Sequence, residues 1–503
     1  MRIALGISSG DLRCRVMNPE SITDKVTRSV KWSALMEIAS RATSPIIFMI
    51  LAFLLTPTDF GIVATAMIVI SLTQMLWDAG LSKALVQTRE SPEDAAHIVF
   101  WTNLLLGLFF YLVLFLSAPA IALFFRSPTS GPVLRALGLQ ILIASFSAVQ
   151  QALIVREFDF RGLFWIRLLS AFVPGFCSIP MAFLGYGAWA LVAGSLAGQI
   201  LNGWLLWRRS NWRPKFTYNK ELARNLFTFG LWVLMESLGA WLIVWGDNLI
   251  VGRFLGVHDL GVYRTGWMLV TMIFGLSLSP FLPVLFPTFS RLQDDLSALK
   301  NAFHTVNRVV IAVSLPMGTC LMLVGPEAAN LLFGNKWQGL GFVLGVLGLM
   351  NGIAWLVGIN AELYRAMGRP DVNTKLMFAQ ILYYLPAYYI AAQNGLQAFT
   401  ITRLVVALVA MPIHIYLCVK ILHLSPFYLW EEGRFMIIST IAMAIGMVLL
   451  KWGIFPRIHV PHVSIALAVL LVTGGLIYFA CLWLLDRSFV LQTKAMIRKA
   501  AVA

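Results

Sequence analysis

Ile98–Phe124 reads IVFWTNLLLGLFFYLVLFLSAPAIALF, 27 residues without one charged side chain. Wound as an α-helix at 1.5 Å per residue, it would reach roughly 40 Å. A bilayer hydrocarbon core is about 30 Å thick and takes about 20 helical residues to cross. Outward from this stretch, apolar runs of similar length fill nearly the whole 503-residue chain, separated by short polar turns. Hydrophobic residues make up 59% of the chain and charged ones 12%, and the mean hydropathy is +0.80. A soluble core has no use for so many such runs. The sequence therefore describes an all-α, polytopic membrane protein with about 14 transmembrane helices.

The spans are expected at 31–55, 60–81, 98–124, 133–155, 162–184, 187–207, 225–252, 260–286, 305–325, 339–362, 372–392, 397–419, 434–454 and 463–485. Turn chemistry marks their ends. Thr56-Pro57-Thr58-Asp59 stops the first helix with a proline, and Asp59 reads as the N-cap of the second. Gly334-Asn335-Lys336 and Gly368-Arg369-Pro370 are similar punctuation.

Orientation follows from Lys and Arg. With the N-terminus inside, the cytoplasmic segments collect roughly 28 of them and the outer loops roughly 5. Arg208, Arg209, Arg213, Lys215 and Lys220 follow span six, and Lys494, Arg498 and Lys499 lie in the tail. An even span count puts both termini in the cytoplasm. The net charge of +15 then belongs to loops facing anionic lipid rather than to a nucleic-acid surface.

Residues 1–30 read as a polar cytoplasmic tail, without the apolar core or cleavage site of a secretory signal. Met17 is a candidate start, because nothing before it has a visible structural role. Cys14, Cys177, Cys320, Cys418 and Cys481 have no metal spacing and read as small hydrophobes, so no disulfide is expected. The chain has no Walker A loop, Gly-x-Ser-x-Gly elbow or His-Glu-x-x-His pair, and no outer loop long enough for a catalytic domain. No metal, cofactor, catalytic residue or enzymatic activity is expected.

The chain repeats itself at an offset near 200. Leu35-Met36-Glu37 recurs as Leu234-Met235-Glu236, and Asp59-Phe60-Gly61 as Asp259-Leu260-Gly261. Thr65 and Met67 match Thr265 and Met268, with one residue of slip. Spans one and seven run in the same direction, so the halves are parallel repeats with a substrate path between them. The expected plan is an N-lobe of spans 1–6 (31–207), a basic inter-lobe loop (208–224) and a C-lobe of spans 7–12 (225–419). Spans 13–14 (434–485) and a cytoplasmic tail (486–503) follow. Alternating access would be a rocking of one lobe against the other.

An ionisable group in hydrocarbon costs about 2.5–3.5 kcal/mol on insertion scales, so one retained there needs a partner or a wet cavity. Glu37 and Arg41 are four apart on span one, within ion-pair reach. Glu236 and Asp247 share span seven, with Asn248 next in line, and Arg264 lies early in span eight. Arg41 and Arg264, with Asn248, are the candidates for holding an anionic group such as a phosphate through the guanidinium fork. Asp247, Glu37 and Glu236 are the candidates for carrying H⁺ or Na⁺. Glu37–Arg41 also reads as a self-neutralising structural pair. Asp247 has no basic residue within a turn except Arg253. Arg135, Arg167 and Arg403 lie near span ends and are expected to reach for headgroups. Asp78 is expected to cap or to pair with Lys83, and Tyr383-Tyr384 and Tyr388-Tyr389 to anchor at the interface. Pro280, Pro283 and Pro287 in span eight, and Pro174 and Pro180 in span five, each remove a backbone hydrogen bond and kink a helix.

Trp32-Ser33-Ala34-Leu35, Leu55 to Gly61 and Asp78-Ala79-Gly80-Leu81 resemble the N-terminal signature of bacterial polysaccharide exporters of the Wzx type. Arg156 to Arg161 resembles that group's inner turn after span four. Asp247 to Gly256 with Leu260 to Tyr263 is similar to its most recognisable stretch. Pro283 to Leu292, Leu332 to Trp337 and Ala366 to Pro370 continue the pattern, which covers about residues 28–430. The colanic-acid exporter subgroup is the nearest in pattern. The resemblance implies the fold of the multidrug and oligosaccharide-lipid exporter superfamily. It also implies flipping of an undecaprenyl-diphosphate-linked oligosaccharide across the bacterial inner membrane, alongside polysaccharide polymerase machinery. Cation coupling is usual in the superfamily, and Asp247 and Asn248 match the family stretch residue for residue. Two other readings are a cation-coupled multidrug antiporter, which would need a net acidic cavity, and a membrane glycan polymerase or ligase, which would need a long catalytic outer loop.

Overall fold

The computed structural model describes residues 45–78, 80–87, 92–216, 220–278, 282–458 and 462–493, and these residues hold helices and no strand. Nine of the described helices are long and apolar enough to cross a membrane. Glu37 and Arg41 lie outside the described residues.

The first lobe comprises α1 (Pro45–Leu54), α2 (Pro57–Asp78), α3 (Leu81–Gln87), α4 (Pro92–Phe124), α5 (Ser130–Arg156), α6 (Phe160–Phe183) and α7 (Ala188–Arg209). The second comprises α8 (Lys220–Phe254), α9 (Val257–Leu278), α10 (Leu282–Arg291), α11 (Leu296–Phe333), α12 (Leu340–Ala354), α13 (Asn360–Ala366), α14 (Pro370–Ala392) and α15 (Gly395–Leu422). In both, a long helix is followed by a short one, then by antiparallel pairs.

The start of α2 departs in detail from expectation. Thr56, not Asp59, is the N-cap. Its Oγ accepts from the Asp59 N–H at 3.3 Å, and Asp59 reaches back to accept from the Thr56 N–H at 3.0 Å. This is the reciprocal box that satisfies two orphan donors. Span eight also ends early, because α9 stops at Leu278. Pro283 and Pro287 belong to the separate helix α10, and Pro280 lies outside the described residues. Pro174 and Pro180 do fall inside α6.

The repeat becomes physical where α2 meets α9. A β-carbon on Gly61 would fall 1.7 Å from the Val257 carbonyl oxygen, and one on Gly261 1.8 Å from that of Pro57. Residues 57 and 61 thus meet 261 and 257, the reciprocal exchange that a two-fold axis generates. Only glycine allows backbones this close, and in a bilayer such close packing, not hydrophobic collapse, holds helices together. The lobes are sealed at this end. Trp337 donates its indole N–H to the Ala52 carbonyl at 2.9 Å and packs edge-on against Phe60, while the Arg253 guanidinium sits 4.9 Å over Phe124. Midway along, Trp241 donates to Ser71 Oγ at 2.9 Å.

Beyond the lobes, α16 (Tyr428–Val448) runs through a π-helical turn (Leu449–Ile454) into α17 (Phe455–Ile458), and α18 (Val463–Leu485) returns alongside. This hairpin is pinned to α11 at both ends. Glu432 accepts from Asn307 at 2.8 Å and meets His304, and Asp486 pairs with Arg308. At the other end Lys451 meets Glu327 at 2.8 Å.

Candidate functional site

The second lobe holds an open cavity of about 300 Å³. Its polar wall is Asp247 from α8, Gln380, Tyr383 and Tyr384 from α14, and Arg403 and His414 from α15. The fourth wall is the junction of α12 and α13. There the backbone leaves the i−4 pattern: Leu356, Val357, Gly358 and Asn360 N–H donate to Ile353, Ala354, Trp355 and Val357, each three residues back, at 3.0–3.3 Å. Mid-helix switches of this kind are found at hinges and at strained sequence, and irregular backbone at membrane depth is tolerated where it lines a cavity. Ala354 and Gly358 are exposed into the space that it leaves.

Asp247 is 3% exposed and fully engaged. One carboxylate oxygen accepts from the Asn248 backbone N–H and side-chain amide, both at 2.7 Å. The other accepts from the Tyr263 hydroxyl at 2.6 Å and from the Arg403 guanidinium. Arg403 is itself held over the Trp267 ring at 4.3 Å and beside Tyr263. Charge, hydrogen bonds and ring quadrupoles together offset the cost of burying two ions.

The structure thus brings Asp247 and Asn248 together and adds Arg403, which sequence reasoning sent to the headgroups. That expectation is corrected: the Arg403 side chain is 12% exposed and faces inward. It lies 156 positions from Asp247, and no local pattern links them. Asn248 is fully buried and orients the carboxylate rather than lining the cavity. Arg264 sits half-buried on α9 with its guanidinium 4.5 Å over Trp245 and does not line the cavity. The Glu236 backbone lies in α8, and its side chain is outside the described set. Tyr384 and Tyr388 are buried cavity residues rather than interfacial anchors, and Tyr384 donates to the Leu242 carbonyl at 2.8 Å. Tyr389 is exposed, as an anchor would be. Arg167 is exposed, and half-buried Arg135 donates to the Phe115 carbonyl of α4 at 3.1 Å.

Apolar membrane-length helices in two lobes related by a pseudo-two-fold axis, with buried charge beside a cavity, define a multi-pass membrane transporter. The chain belongs to the polysaccharide biosynthesis protein family, whose model matches residues 50–340, more than half of it. It is 29% identical over 339 residues to the succinoglycan biosynthesis transport protein ExoT of Rhizobium meliloti (strain 1021), covering 67% of this chain and 68% of that one. It is 25% identical over 379 residues to the teichuronic acid biosynthesis protein TuaB of Bacillus subtilis (strain 168), covering 75% and 78%. Among solved structures it is similar to the lipid II flippase MurJ in an inward closed conformation. The TM-score is 0.72 at 12% identity, over 91% of this chain and all of that one.

Proposed function

We propose that this protein is a flippase that carries a lipid-linked oligosaccharide across the bacterial inner membrane, with both termini in the cytoplasm. The observation that carries the reading is the Asp247–Arg403 pair beside a cavity, in a two-lobed fold of the polysaccharide biosynthesis family. The carrier is read as undecaprenyl diphosphate. Its prenyl tail stays in lipid while the diphosphate and sugars pass through the wet space between the lobes.

The chemistry follows from the pair. Arg403 is a guanidinium already desolvated and held by a carboxylate. An incoming phosphate offers acceptor oxygens in place of the one that Asp247 presents, and can engage both arms of the guanidinium fork. Exchange of Asp247 for phosphate lets Arg403 bind the headgroup without a fresh desolvation cost. Protonation of Asp247 would favour that exchange, and its loss would favour release. The coupling ion is therefore read as H⁺ rather than Na⁺. The Asp247 carboxylate is ringed by N–H and O–H donors, whereas Na⁺ asks for acceptor oxygens. Arg41 and Arg264 are kept as further phosphate contacts, Asn248 as the residue that aims Asp247, and Glu37 and Glu236 as further proton carriers. The lobes, divided near residues 208–224, rock about the α2–α9 crossing. A polymerase receiving the product at the outer face is the expected partner.

The test is translocation of extracted lipid-linked oligosaccharide in proteoliposomes, read by the accessibility of its sugars to an external lectin. Arg403→Gln should lower the rate at least tenfold with protein recovery unchanged. Translocation at the wild-type rate removes Arg403 from the path, and no translocation by the wild type removes the flippase reading. A proton gradient, but not a Na⁺ gradient, should change the rate.

A further inference from the structure

The first lobe holds its own cavity, of about 500 Å³, where the end of α2, α3 and the second half of α5 meet. It lies at the far end of α2 from the sealed Gly61–Gly261 crossing. Its polar lining is Trp77, Asp78, Ser82, Lys83 and Gln151. Asp78 accepts from Ser82 Oγ at 2.5 Å. Trp77 is 5% exposed, and its indole N–H finds no acceptor. A buried donor left unpaired is costly, and such a group in a native structure asks for an explanation.

Internal symmetry supplies a second observation. The residues of α5 that face this cavity are Ala144, Ala148, Gln151, Ala152 and Val155, and 210 positions on from the first three stand Ala354, Gly358 and Ala361, which face the cavity of the second lobe. The same helix face lines a cavity in both halves, but the lining chemistry differs. The second lobe offers a guanidinium. The first sets one carboxylate against one ammonium and adds an indole N–H, a hydroxyl and an amide. That set is neutral overall and mixes donors with acceptors. It lacks the net positive charge that a phosphate asks for, and its wall of Val86, Ala144, Ala148, Ala152 and Val155 can meet the C–H faces of a sugar. It suits a ligand dense in hydroxyl groups, with the Trp77 indole N–H as a donor still without a partner.

We infer that the first-lobe cavity is a saccharide subsite, in which Trp77 Nε1–H and the Gln151 amide bond the hydroxyl groups of the headgroup's sugars. This deepens the flippase reading and rests on it for its ligand. The two lobes then divide one headgroup, sugar to the first and diphosphate to the second.

The experiment uses the full chain in lipid nanodiscs and two soluble probes measured by calorimetry. One is the oligosaccharide freed by mild acid from the host's lipid-linked pool; the other is inorganic pyrophosphate. Trp77→Phe keeps the ring and removes only the N–H. It should weaken oligosaccharide binding about tenfold and leave pyrophosphate binding unchanged. Gln151→Leu should act likewise, and Arg403→Gln should do the reverse. Oligosaccharide binding at wild-type strength in both first-lobe variants overturns the subsite, as does an equal loss for both probes or no oligosaccharide binding by the wild type. If the subsite behaves as expected while the wild type translocates nothing in proteoliposomes, the site stands and the flippase reading falls.

Discussion

Residues 130–156 and 340–366 occupy equivalent places in the two lobes and have equal length, yet one stretch is a single helix and the other is two. The first, α5, is unbroken over 27 residues. The second stops as α12 at Ala354 and resumes as α13 at Asn360. Where α5 has Ala148, the broken helix has Gly358. Packing differs as well. Backbone meets backbone between α11 and α12: a β-carbon on Gly325 would fall 2.5 Å from the Gly341 carbonyl oxygen, and one on Gly352 2.7 Å from that of Ser314. Between α4 and α5 the equivalent approach is to side chains, with a Gly107 β-carbon meeting Ser145 Oγ. One stretch is thus continuous, and the other is broken next to a charged pair. A duplicated fold has kept its frame and given its halves different work.

The largest expected effect tests the charged pair. Asp247→Ala leaves Arg403 buried without its counter-ion and should cost about 3–5 kcal/mol of stability. Asp78, the acid at the first-lobe cavity, is only half-buried and answers a hydroxyl. Asp78→Ala should cost about 1 kcal/mol. Thermal unfolding in detergent ranks the two, and equal losses would erase the distinction between the lobes.

Next comes the axis that makes the comparison legitimate. Gly61→Ala and Gly261→Ala each drive a methyl into a facing carbonyl. Each should destabilise by about 1–3 kcal/mol, by the usual cost of overpacking. The two losses should agree closely, because the contacts are reciprocal. A large effect from one and none from the other would mean that the crossing is not two-fold.

A smaller effect separates bending from packing. Alanine favours helix over glycine by about 1 kcal/mol. Gly358→Ala should stiffen the α12–α13 junction and slow translocation several-fold at unchanged protein recovery. The converse change, Ala148→Gly, should loosen α5 and cost about 1 kcal/mol in stability while altering the rate less. If both leave translocation alone, the junction is a packing feature and not a hinge.

The frame was legible because hydropathy and duplication act at every position. Asp59-Phe60-Gly61 and Asp259-Leu260-Gly261 locate the crossing helices before any coordinates. The site was half legible. An acid in hydrocarbon announces itself, so Asp247 stood out. Its partner did not, because Arg403 lies near the end of an apolar stretch and becomes inward-facing only when α15 packs on α12 and α14, from where its side chain reaches α8 and α9. The broken helix was invisible for a related reason. Gly358 is one glycine among several, and the hydrogen-bond switch around it leaves the hydropathy of the span unchanged. Trp77 reads as an ordinary apolar residue until its N–H is found buried without an acceptor.

The smallest expected effect lies in a turn that the two lobes share. After α5, the Phe158 N–H donates to Val155 and the Asp159 N–H to Ile154, both at 3.1 Å. After α13, the Gly368 N–H donates to Arg365 at 3.1 Å and the Arg369 N–H to Tyr364 at 2.8 Å. Both are the paired bonds that end a helix through one left-handed residue, with φ of 59° at Phe158 and 69° at Gly368. An L-residue with a side chain pays about 1–2 kcal/mol there, and glycine does not. The substitutions should therefore act in opposite directions. Phe158→Gly should raise stability by up to about 1 kcal/mol, the relief of strain less the contact that the ring makes with Phe160. Gly368→Phe should lower it by about 1–2 kcal/mol. Melting temperatures of the two single variants decide this. If both move the same way, the shared backbone bonds conceal different local energetics, and equivalence of position at this turn is not equivalence of strain.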